Sequence, residues 1–137
     1  MKFFHAALFL LALAQPSVVL ARENFEARYI SSRDTTLIEA RSDSVKDTAR
    51  QMVGDDKQFE CVDEIVQQES GWDQTATNAA SGAYGLFQAL PPSRMNSAGP
   101  DWRTNPRTQI KWGLDYIRGR YGTPCVALAF RRDHGWY

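Results

Sequence analysis

A mainly α fold in one small domain is predicted by three features of the chain. Asn105-Pro106 and Thr123-Pro124 each place a capping residue before a proline, the signature of a helix start. Residues 57–70 carry apolar side chains at helical period. The 137 residues, 43% of them hydrophobic, suffice for one core and not for two.

The elements follow in chain order. Lys2 gives a positive start, Phe3 to Ala14 is an almost unbroken apolar run, and Val19-Leu20-Ala21 ends on a small residue suited to cleavage. Residues 1–21 therefore read as an export signal; the other reading is an uncleaved anchor or a core helix, although the run is short for a bilayer. Residues 22–42 mix both charges with Ser and Thr and show no apolar period beyond Leu37-Ile38, so they read as a polar tether. The domain proper is expected over 43–137. It opens with a short amphipathic helix carrying Val45, Ala49 and Met52 or Val53, which Gly54 ends.

Asp55-Asp56 can cap the next helix, expected from about Lys57 to Ser70. Phe59, Val62, Ile65 and Val66 share one side of it, while Glu60, Asp63, Glu64, Gln67 and Gln68 fall on the other. Glu69 lands inside the apolar stripe, in the last turn before Gly71 and Trp72. Desolvation there favours the protonated carboxyl that a general acid requires. A structural glutamate bonded to backbone amides of the following loop fits the helix equally well.

Thr75 to Gly85 is rich in Ala, Ser, Asn, Thr and Gly and reads as turns. Tyr84 to Gln88 is a short apolar segment, a strand or a tight helical turn, closed by Pro91-Pro92; it lines a cleft or forms a buried edge. The helix from Pro106 to about Tyr121 should bury Ile110, Gly113, Leu114, Ile117 and Tyr121, with Gly122 stopping it. A last helix starts at Pro124, and Trp136-Tyr137 is expected to pack.

Charge and cysteines bound the function. Sixteen basic residues balance sixteen acidic ones, so no uniform field favours nucleic acid. The distribution is uneven: 22–73 holds 7 basic against 13 acidic residues, and 79–137 holds 8 against 3. A basic second half suits a polyanionic polymer, or is a solvated face balancing the first half. Two cysteines, Cys61 and Cys125, in an exported chain predict one disulfide between two helices. With His134 the only histidine outside the signal, no Cys/His zinc set is available. A Cys125–His134 nucleophilic pair would leave Cys61 unexplained.

Glu69-Ser70-Gly71-Trp72, Gly82-Ala83-Tyr84-Gly85-Leu86-Phe87-Gln88, Asn105-Pro106 with Ile110 and Gly113, and Tyr116-Ile117 with Arg120-Tyr121-Gly122 together carry a family likeness. Over 43–137 the chain resembles the soluble lytic transglycosylase (SLT) domain of the lysozyme-like superfamily. It is similar in particular to the compact two-cysteine form akin to the carboxy-terminal domain of aggregation-promoting factors, which Asp101 to Pro106 and His134-Gly135-Trp136-Tyr137 also match. The resemblance implies a lysozyme-like helical domain with a glycan-binding cleft that cleaves the β-1,4 bond between N-acetylmuramic acid and N-acetylglucosamine. It implies Glu69 as catalytic acid, Ser70 bonding beside it, and Tyr84, Gly85, Leu86, Phe87, Gln88 and Tyr116 as substrate-binding residues. The implied enzyme acts on peptidoglycan glycan strands at the cell envelope as a monomer, with no cofactor, metal, nucleic-acid partner or lasting membrane anchor.

One departure stands out. Relatives commonly carry an Ala-Tyr-Asn segment whose tyrosine approaches the acid, and here the corresponding stretch is Ala129-Phe130-Arg131; Tyr84 or Tyr116 is a candidate replacement. No motif places a second carboxylate among Asp73, Asp101, Asp115 and Asp133, which favours a single-acid mechanism ending in a 1,6-anhydro product. A hydrolytic muramidase on the same fold and a non-catalytic glycan-binding or aggregation module are the rival readings.

Overall fold

The computed structural model describes residues 16–137, with side chains from Ser31 onward except Ser32. Residues 1–15, most of the expected export signal, lie outside the described residues. The chain divides into two units, Met1–Ile38 and Glu39–Tyr137.

Helix α1 runs Pro16–Val53. It replaces the expected succession of a tether and a short helix from Asp43. From Ser17 to Val53 the sequence has neither glycine nor proline, so nothing breaks the backbone ladder even where no apolar face exists. In the first unit Leu37 and Ile38 are exposed, which accounts for the missing period. In the second unit the end of α1 buries Val45 and Ala49, with Met52 and Val53 packed beside them.

The remaining elements of the second unit are α2 (Asp56–Ser70), a 3-10 helix (Pro92–Ser97), α3 (Pro106–Tyr121) and α4 (Pro124–His134). Their starts obey the caps read from sequence. The Asp55 carboxylate accepts from the Gln58 amide at 2.8 Å, the Asn105 side chain from the Arg107 amide at 3.0 Å, and the Thr123 hydroxyl from the Val126 amide at 3.4 Å. Helix α4 packs against both α2 and α3, and the 3-10 helix packs against α3.

The core between them is apolar: Phe59, Val62, Ile65 and Val66 from α2, Ile110, Leu114 and Ile117 from α3, and Ala127 and Leu128 from α4, closed by Trp72, Leu86, Met95 and Trp102. Tyr121, expected inside, packs against this core only partly buried. A disulfide joins Cys61 on α2 to Cys125 on α4, with Cα atoms 5.1 Å apart across 64 residues of sequence. The fold is mainly helical and small. Its extended backbone among the described residues is confined to two antiparallel bridges, Thr77 with Tyr84 and Tyr84 with Ala89.

Candidate active site

The bridge between Tyr84 and Ala89 closes a tight turn, so the segment is neither a full strand nor a helix. The Tyr84 amide donates to the Ala89 carbonyl at 3.2 Å and the Ala89 amide to Tyr84 at 3.0 Å. Two glycines let this turn lie directly on α3. A Cβ at Gly85, whose φ is +78°, would stand 2.5 Å from Gln109 Oε1, and a Cβ at Gly113 would collide with the Phe87 ring. Gln109, fully buried, then ties the pieces together. Its Oε1 accepts from the Leu86 amide at 2.9 Å, and its Nε2 donates to the carbonyls of Gln74 at 3.0 Å and Trp102 at 2.8 Å. Ser70 pins the end of α2 to the same turn by donating to the Leu86 carbonyl at 3.0 Å.

In front of this scaffold is a cavity of about 430 Å³. One side is formed by Phe87, Gln88 and Ala89 of the turn, with Trp112 and Tyr116 of α3. Those two rings stack with centroids 5.5 Å apart. Arg94 of the 3-10 helix also lines it, its guanidinium 5.7 Å from the Tyr116 ring centroid. The rest of the lining comes from Arg131 of α4 with Gly135, Trp136 and Tyr137, and the Tyr137 ring meets Tyr116 edge-on with centroids 6.1 Å apart. Glu69 of α2 completes the lining.

Four of the residues expected at the site line this cavity: Glu69, Phe87, Gln88 and Tyr116. The other four stand behind its wall. Ser70 and Leu86 are committed to the bonds just described, and Gly85 seats the turn on Gln109. The Tyr84 hydroxyl donates to the Arg103 carbonyl at 3.0 Å while its ring meets Trp102 edge-on, which directs it away from Glu69. Gln88 keeps a left-handed backbone, φ +46°, and its amide donates back to Gly85 and Ala76, so it is held by its own turn. Arg94, Trp112, Arg131, Trp136 and Tyr137 were absent from the expected set.

The electrostatics centre on Glu69, whose side chain is 16% exposed. Burial raises its pKa above the ordinary glutamate value, and the Arg131 guanidinium, with Nη1 2.6 Å from Glu69 Oε1, opposes that rise without cancelling it. The protonated carboxyl therefore persists to higher pH than in a free glutamate. Arg131 is fixed from a second direction by Gln68, whose Oε1 accepts from Nε at 2.8 Å. The Tyr137 hydroxyl is buried without a hydrogen-bond partner, and burial first, then the neighbouring Glu69 charge, pushes its pKa well up.

Among the described residues lining the cavity, Glu69 carries the only side-chain carboxylate. Three of the other acids considered are occupied elsewhere. Asp101 accepts from Asn105 and Thr108, Asp115 pairs with Lys111 and Arg118, and Asp73 caps its own turn at Thr75. No group of three or more metal-ligating side chains occurs among the described residues. No helix among them is long and apolar enough to cross a membrane.

A small helical domain whose cavity holds one partly buried carboxylic acid among aromatic rings belongs, as a class, with glycan-cleaving domains of lysozyme type. The family models agree: residues 49–128, more than half of the chain, match the transglycosylase SLT domain, and the protein belongs to that family. No curated protein and no solved structure matches the chain.

Proposed function

We propose that the protein is an exported peptidoglycan lytic transglycosylase in which Glu69 alone serves as acid and then as base. The single observation that carries this reading is one raised-pKa carboxyl in a cavity whose described lining holds no other side-chain carboxyl. Glu69 protonates the glycosidic oxygen of the β-1,4 bond between N-acetylmuramic acid and N-acetylglucosamine. The substrate's own N-acetyl group stabilises the sugar cation. The resulting Glu69 carboxylate removes the proton from the 6-hydroxyl, which closes onto C1 to give a 1,6-anhydro end. Water takes no part, because a hydroxyl held beside the cation outcompetes it by effective concentration.

The half-exposed Trp136 and the Tyr116 ring, both lining the cavity, offer aromatic surface for sugar rings. Export is supported by the signal-like residues 1–21 and by the disulfide, a bond favoured outside a reducing cytosol. The enzyme works as a monomer on glycan strands in the periplasm or cell wall.

Glu69→Gln tests the assignment, since the amide keeps the shape and has no acidic proton. Clearing of a cell-wall suspension should fall by about 100-fold or more, the usual worth of a positioned acid. Because the substitution also removes a carboxyl that is disfavoured when ionised in a buried site, the Tm at neutral pH should not drop. Retention of a tenth of the activity would remove Glu69 from the chemistry.

A further inference from the structure

The cavity carries more positive charge than its own carboxylate can use. Arg94 and Arg131 line it with Glu69, giving two guanidinium groups for one acid. Among the described residues Arg94 has no carboxylate within ion-pair distance, and its guanidinium rests near the Tyr116 ring. Arg131 gives one nitrogen to Glu69 at 2.6 Å and another to Gln68 at 2.8 Å. An arginine presents five donors, so the remaining ones are open to a further acceptor.

We propose that Arg131 is a specificity-determining residue exchanged between Glu69 and a carboxylate carried by the glycan, with Arg94 as the second anchor for that carboxylate. The cleft would then select carboxylate-bearing strands over neutral ones. This rests on the reading of Glu69 as the acid. In the resting site the guanidinium beside Glu69 offsets part of the rise that burial gives its pKa, and so holds back part of its capacity to protonate a leaving oxygen. A substrate carboxylate that engages the free donors of Arg131 draws the guanidinium off, and burial then governs the Glu69 proton. The charge that marks the correct substrate thereby releases the acid. The charged and titratable groups sharing the cavity with Glu69 are Arg131 of α4, Arg94 of the 3-10 helix, Tyr116 of α3 and Tyr137 after α4. Of these, Arg131 alone lies within ion-pair distance of the carboxyl.

The carboxylate has two sources in a cell-wall glycan: the lactyl group on the sugar itself, or the stem peptide. The experiment compares glycan strands stripped of peptides, the same strands with their carboxyls amidated, strands with stems intact, and a neutral N-acetylglucosamine hexamer. For the wild-type protein, kcat/KM should be about tenfold or more higher on a carboxylated strand than on its amidated counterpart, as expected for a charge-assisted pair. A preference for stripped strands assigns the lactyl group, and one confined to stem-bearing strands assigns the peptide.

Arg131→Gln should bring the ratio to within about twofold from both ends, lowering turnover of carboxylated strands and raising that of amidated ones. The alkaline limb of the pH profile on amidated strands should move upward, since the guanidinium no longer lowers the pKa of the acid. Arg131→Lys keeps the charge without the planar fork and should give an intermediate ratio. Arg94→Gln should raise KM for carboxylated strands more than for the neutral hexamer. A wild-type ratio near one, or an Arg131→Gln protein that loses both substrates by the same factor, overturns the exchange. Glu69→Gln run alongside separates the two failures: an inactive variant with a flat wild-type ratio sinks the exchange alone, and an active one sinks the acid assignment with it.

Discussion

The two sides of the cavity are built on opposite principles. On the turn and α3 side, two side chains tie separate segments of backbone together, although the Gln74 Oε1 and the Tyr121 hydroxyl are buried there without partners. Gln109 joins the turn, the loop at Gln74 and the segment at Trp102, and Ser70 fastens α2 to the same turn. On the α4 side, a guanidinium divides itself between Glu69 and Gln68, a tyrosine hydroxyl is buried with no partner, and Trp136 is half-exposed. Buried polar groups left unsatisfied cost stability, and those satisfied several times over confer rigidity. The cross-links through Gln109 and Ser70 therefore hold the shape on the first side, and the second side carries the charged pair beside the acid.

Breaking the framework shared by both sides should have the largest effect on stability. Reducing the Cys61–Cys125 bond frees a loop of some 64 residues and, in the chain-entropy account, should cost about 4 kcal/mol at most. The check is a denaturant melt with and without reductant, together with a thiol titration that finds no reactive thiol in the native unreduced protein.

Next comes the scaffold side. Gln109→Ala leaves the Leu86 amide and two carbonyls unpaired in the interior, at a cost of about 3 kcal/mol. Clearing activity should fall with it, because the turn carrying Phe87 and Gln88 loses its seat. The smallest stability change is expected on the responsive side. Trp136→Ala removes a half-exposed ring and should shift stability by no more than about 0.5 kcal/mol while raising KM for glycan strands. Equal melting shifts for Gln109→Ala and Trp136→Ala would erase the distinction between the two sides.

These differences also mark what the sequence could carry. Glu69 was legible because helical periodicity placed a carboxylate inside an apolar stripe, and local spacing suffices for that. The caps at Asp55, Asn105 and Thr123 and the disulfide were legible for the same reason or from cysteine count. Gln109 was not, because an amide beside Ile110 looks ordinary until Gln74, Leu86 and Trp102 are brought to it from elsewhere in the chain. Tyr84 was assigned to the cleft by position in a motif, yet its hydroxyl is spent on the Arg103 carbonyl. Arg131, Trp136 and Tyr137 reach Glu69 only through the packing of α4 on α2, which no local pattern encodes. The length of α1 is not legible in the sequence, because absence of an apolar face says how a segment packs and not whether it is helical.

The single-acid mechanism requires that Glu69 complete the reaction without a second carboxylate. Mass spectrometry of muropeptides released in ¹⁸O-labelled water tests it. A single-acid reaction yields 1,6-anhydro ends, lighter than hydrolysed ends by the mass of one water and free of label. Reducing ends carrying ¹⁸O would contradict it and make the protein a muramidase on the same fold.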